Sequence, residues 1–282
     1  MSPQWQGNLS NTNVDLSLDN LLASLLVTAY ATQDERITIQ ASVAGISPYF
    51  VLGTVLLGHA QLSQALLLAA YAYPGDRPHQ PVLQQIAHGT LKGWRALGGL
   101  WGLLHIGMQW GYAVVLLVRF SMFYPERGWT IYILNAVAIA YAAVLLLPVA
   151  YLTLRRRPTY NHDMGSDIVI GFASIVTQYT APVIIVVQFT SQLLEMRHSD
   201  GTLGALSRNS LGAQALVVAG MGKRWRQRLG RPAWDNHERP AHPPLWYRLE
   251  MLWAQYQWGM VWMNQLFYAG GCAVLWMSAM LK

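Results

Sequence analysis

The chain has 282 residues, of which 53% are hydrophobic and 11% charged, with a formal net charge of +6 at pH 7. A soluble globular domain carries about 25% charged residues, and a chain this poor in charge cannot cover its own surface against water. The composition excludes an ordinary soluble domain and points to lipid as the outer solvent. The positive charge does not point to nucleic acid, because the basic residues cluster beside apolar stretches, where membrane proteins hold anchoring charge.

Residues 1–17 form a polar N-terminal segment. Its first 15 residues hold no positive charge and no apolar run, so the expectation is that the first span, not a cleaved leader, directs insertion. No Asp, Glu, Lys or Arg falls between Arg95 and Arg119, between Arg127 and Arg155, between Asp167 and Glu195, or between Glu250 and Lys282. A helix needs roughly 20 apolar residues to cross the hydrocarbon core, and it closes its own backbone hydrogen bonds there. The sequence thus predicts an all-α, polytopic membrane protein of seven spans. They run near Leu18–Gln33, Pro48–Tyr73, Ala96–Met122, Trp129–Leu154, Asp167–Leu194 (with a kink at Pro182), Ser207–Met221 and Leu252–Met280. The first and sixth are short, and the first begins at Asp19. The extended hydrophilic segment, Lys223–Pro244, holds Lys223, Arg224, Arg226, Arg228, Arg231 and Arg239 and reads as a solvated basic loop near anionic headgroups. Counting Lys and Arg on each side places the N-terminus in the cytosol; glycosylation of the sequon Asn8-Leu9-Ser10 would contradict that orientation.

The chain echoes itself. Gln33 is followed by Gly45, then Ile46 and Ser47; Gln192 is followed by Gly204, then Ala205, Leu206 and Ser207. Each glutamine ends one span and each Gly-Ser pair opens the next. The expected layout is a first three-helix repeat over 18–125, a linker helix over 126–158 and a second repeat over 159–282, a parallel-repeat arrangement known among transporters. These residues resemble the PQ-loop repeat family, which includes lysosomal amino-acid exporters and, more distantly, the sugar-transporting SWEET proteins. The run Gly45-Ile-Ser-Pro-Tyr-Phe looks especially like fungal members. The resemblance implies a carrier whose repeats hinge at Gln33 and Gln192, and it implies a lumenal N-terminus, against the charge count. The family carries Pro before each Gln; here Thr32 and Ser191 stand there, so the bend such a proline gives the helix is missing.

Polar groups within a span are costly and mark function. Those expected to bind a substrate are His59, His105, Gln109 and Gln188, joined by Trp258 and Trp262, one turn apart in an aromatic-rich last span. Imidazole titrates near neutral pH and can relay protons, and aromatic faces attract cations. Each also has a structural reading, as an interhelical hydrogen bond or a packing contact. No acid falls at mid-membrane; Asp19, Asp167 and Glu195 lie at span edges. Cys272, the sole cysteine, reads as a packing residue, and the sequence carries no phosphate loop, zinc spacing or aspartate-rich prenyl-diphosphate motif.

Two functions follow. One is a PQ-loop carrier of a small apolar or amphipathic metabolite, in an endoplasmic-reticulum, vacuolar or plasma membrane, without cofactor, metal or nucleic-acid partner. The other is a membrane-embedded terpene cyclase of meroterpenoid biosynthesis, with Asp19, Asp167 or Glu195 as the acid and aromatic walls for a carbocation. A receptor or scaffold role has no feature in its favour.

Overall fold

A computed structural model describes residues 9–70, 94–124, 128–155, 164–198, 204–229 and 245–281. Among them are seven helices: α1 (Leu9–Gln40), α2 (Pro48–Ala70), α3 (Trp94–Phe123), α4, α5 (Met164–His198), α6 (Arg208–Leu229) and α7 (Leu245–Met280). The α4 helix runs as three consecutive segments, Trp129–Tyr141, a π-helical Ala142–Leu146 and Leu147–Arg155. Its π turn lies directly before Pro148, whose missing N–H cannot bond the carbonyl four residues back, so the ladder shifts register there. Pro182 lies inside α5, which continues on both sides of it as one helix.

Among the described residues, four helices are long and apolar enough to cross a membrane, over Pro48–Ala69, Leu100–Phe123, Trp129–Thr153 and Ile168–His198. Their outer faces are apolar as well. Val118, Ile133, Ile139, Val144, Ile175, Val183, Val186 and Val187 are all exposed, an area of bare hydrocarbon that water would not tolerate and lipid would. The Trp129–Thr153 window is the most hydrophobic of the four and among the least buried. The α2 helix is the opposite case, with 72% of its window buried, because it packs on α3, α4, α5 and α7.

The other packing pairs are α1 with α3 and α6, α3 with α6, α4 with α5, α5 with α7, and α6 with α7. In both halves, therefore, the second helix lies against the third and the first against the third, while the first helix of each half lies on the second helix of the other. Two boundaries from the sequence are corrected. The first helix runs beyond the expected Leu18–Gln33 at both ends, over Leu9–Gln40. Residues 223–229 are not loop: α6 continues to Leu229. Arg224 can then turn inward to an ion pair with Asp19, 3.1 Å away. The rest of the basic segment, 230–244, lies outside the described residues, as do the sequon Asn8 and the side chains of Trp258 and Asp167.

Candidate functional site

The two turns that open α2 and α6 are built alike. Ser47 caps α2, its carbonyl accepting from the amides of Phe50 and Val51, and Pro48 follows at the first helical position, where an absent N–H costs nothing. Ser207 caps α6, accepting from Leu211 through its carbonyl and from Ser210 through Oγ, as N-cap serines do. Gly45 and Gly204 precede them with positive φ, +78° and +54°, the region that favours glycine. A side chain at Gly204 would also overlap the carbonyl oxygen of Ala44.

Each glutamine seals the turn of the opposite half. Gln33 Nε2 donates to the Ala205 carbonyl at 3.0 Å, while Gln33 Oε1 accepts from the Ser207 amide at 2.6 Å. Gln192 Nε2 donates to the Gly45 carbonyl at 2.7 Å, while Gln192 Oε1 accepts from the Ser47 amide at 2.9 Å. A primary amide offers one donor face and one acceptor face, so it can hold a carbonyl and an N–H two residues apart. Both glutamines are fully buried. The turns also touch directly: the Ala205 amide donates to the Ala44 carbonyl at 2.8 Å, and Arg36 Nη2 to the Gly204 carbonyl at 2.9 Å. The two turns, where the repeats were expected to hinge, form one closed, cross-bonded layer.

Below it, Tyr30 and Tyr112 stack with ring centroids 3.8 Å apart, and Phe189 meets Tyr268 edge-on at 5.4 Å. Next to these rings lies a cavity of about 20 Å³ lined by Tyr30, Thr54, Leu57, Gly58, Gln61, Gln109 and Tyr268. Two amides, Gln61 and Gln109, line it, and both bond Gln265. Gln109 and Gln265 bond reciprocally at 2.9 and 2.7 Å, and Gln265 Nε2 also donates to Gln61 Oε1 at 2.9 Å. The cavity lining is uncharged throughout. A volume of this size accepts about one water molecule, so the arrangement is a closed one.

The sequence-predicted residues fall in five separate places. Gln109 lines the cavity. His59 faces away from it, its Nδ1 accepting from Trp110 Nε1 at 2.7 Å and its ring lying 6.5 Å from Tyr141. His105 stacks on Trp101 and bonds the Asp19 carbonyl through Nε2 at 3.0 Å. Trp262 packs with Ala65, Ile106 and Trp225, under the Arg226 guanidinium 5.4 Å from its ring centroid. Gln188 is wholly buried between α5 and α2. Among the edge acids, Asp19 is 3% exposed and paired with Arg224, and Glu195 is half-buried near the end of α5. Sequence reading missed Tyr30, Gln61, Tyr268 and Gln265 as one cluster; glutamine inside an apolar span was their signal. No family model, no curated protein and no solved structure matches the chain.

Proposed function

We propose that this chain is a seven-span small-molecule carrier of two three-helix repeats and a linker helix, in the manner the PQ-loop resemblance implies. The observation that carries the reading is the pair of crossed latches, Gln33 on the α6 turn and Gln192 on the α2 turn. Two equivalent locks, each joining one half to the other across a central polar cavity, are what an alternating-access machine needs to hold one side shut.

The solute, on this reading, is small, uncharged and hydrogen-bonding. The cavity offers amides and hydroxyls, which donate and accept, and no charged side chain. A charged solute would lose several kcal/mol of hydration there with nothing to offset it. Because the cavity holds about one water, the solute enters only when the halves separate.

The aromatic cluster of Tyr30, Tyr112, Phe189 and Tyr268 keeps the cyclase as the second reading, since such walls suit a carbocation. Of its candidate acids Asp19 is paired with Arg224, as Asp34 is with Arg119, while the Asp167 side chain lies outside the described residues. Reconstitution separates the two. Proteoliposomes should take up an uncharged polyol such as erythritol, and Gln109→Leu should abolish uptake while the protein still folds. Turnover of a prenylated substrate by the purified protein in detergent, where no two compartments exist, would overturn the carrier.

A further inference from the structure

The two seams between the halves are antiparallel and similar in outline, yet their polar groups are in opposite states. Along α1–α6 the polar side chains at the inner end and in the outer half find partners, Arg36 Nε excepted. Asp19 meets Arg224, Ser210 Oγ donates to the Ala29 carbonyl at 2.6 Å, Gln214 bonds Ser210, Tyr268 bonds Gln214, and Gln33 closes the end.

Along α2–α5 the sequence of contacts stops after Gln192. The next polar side chain, Gln188, is 0% exposed, and neither its Nε2 nor its Oε1 has a hydrogen-bond partner. It fits only because Gly53 faces it: a Cβ there would collide with the Gln188 side chain. Gln64 lies eleven residues after Gly53 and Thr177 eleven before Gln188. Eleven residues is close to three turns, so both return to the seam face, roughly 16 Å along. Thr177 Oγ1 and Gln64 Nε2 are also buried and without a partner, as is the neighbouring Ser63 Oγ. Ala60 and Ala181, both wholly buried, occupy the middle of the stretch.

We propose that α2–α5 is the seam that opens, and that Gln188, Gln64 and Thr177 are solute-binding groups that gain their partners in the open state, while α1–α6 stays shut. Buried polar groups are normally bonded, and a row of three exceptions along one seam, against Arg36 Nε alone at the turn end of the other, marks the seam whose present state is not its only one. The inference rests on the carrier reading for what fills the seam, an uncharged hydrogen-bonding solute, but not for which seam moves.

The test is hydrogen exchange resolved to single amides, on the full chain in lipid nanodiscs, with erythritol uptake measured in parallel. The Ser47 amide, sealed by Gln192, should exchange about tenfold faster than the Ser207 amide, sealed by Gln33. Gln188→Leu removes the orphaned amide at similar volume; it should slow Ser47 exchange toward the Ser207 rate, raise the thermal midpoint and reduce uptake about tenfold. Thr177→Val should act the same way, more weakly, and serves if the leucine variant does not fold. Equal Ser47 and Ser207 rates in the unaltered protein, or a Gln188→Leu variant that loses stability and keeps uptake, would overturn the proposal. Unequal rates that Gln188→Leu equalises, with no erythritol uptake by any form, would uphold the seam and overturn the carrier reading.

Discussion

The α1–α6 and α2–α5 seams show how one backbone plan can be filled for opposite ends. Both are antiparallel, both end in a glutamine sealing a Gly-Ser turn, and both place small residues where the helices approach. The α1–α6 seam holds a buried ion pair and a run of bonded hydroxyls and amides. Its counterpart holds Gln188, Gln64 and Thr177 with unmet polar atoms. A satisfied polar network rigidifies, and an unsatisfied one is the weak place in a packed interior. The difference teaches that pseudo-equivalent interfaces need not be equally strong.

The sharpest way to break the comparison is at the ion pair. Arg224→Met would leave the Asp19 carboxylate, 3% exposed, buried without its guanidinium. Removing one partner of a buried pair costs about 3–5 kcal/mol. The unfolding midpoint in mild detergent should fall accordingly, and adding Asp19→Asn to the same variant should restore most of the loss. A double variant as unstable as the single one would mean that Arg224 acts through packing, and that the α1–α6 seam does not owe its strength to charge.

The latches come next. Gln33→Leu would strip partners from the Ala205 carbonyl and the Ser207 amide, and Gln192→Leu from the Gly45 carbonyl and the Ser47 amide. An orphaned buried backbone group costs about 1–3 kcal/mol, so each variant should lose about 2–4 kcal/mol. The two should not lose equally. If α2–α5 is already the looser seam, Gln192→Leu costs less than Gln33→Leu, because the groups it orphans reach water more often. Equal losses, read by the same unfolding measurement, would show the seams to be energetically alike.

Much of the fold was legible, and the reason is physical. Charge is expensive in lipid, so the uncharged runs after Arg95, Arg127, Asp167 and Glu250 match α3, α4, α5 and α7 within a few residues. The ends of α1 and α6 were not legible, because both helices continue past the apolar stretch into residues such as Asp34, Arg36, Arg224 and Arg226, which read as loop by composition. The glutamines were singled out, but their partners were not. Gln33 bonds a turn 172 residues away, and nothing in local pattern says that a Gln-Gly-Ser echo is wired crosswise. Gln61, Gln109 and Gln265 come from three helices; Gln109 was expected to bind substrate, but no local pattern joins it to the other two.

The smallest effect is expected at the other end of α1, where Asp34 meets Arg119 through both carboxylate oxygens at 2.8 and 3.1 Å. The geometry is better than that of Asp19–Arg224, yet the side chains are 29% and 31% exposed, against 4% and 13% for the inner pair. Solvent and headgroup water screen a pair in that position and hydrate either partner when the other is removed, so such pairs contribute little. Asp34→Asn should therefore shift the unfolding midpoint far less than Arg224→Met, and the shift should shrink further as salt rises, since exposed pairs are screened. The two pairs sit on one helix, fifteen residues apart, so a single host supplies both measurements. If Asp34→Asn costs as much as Arg224→Met, burial is not what separates the ends of α1, and the turn face is held by the Arg119 pair as firmly as by its crossed glutamines.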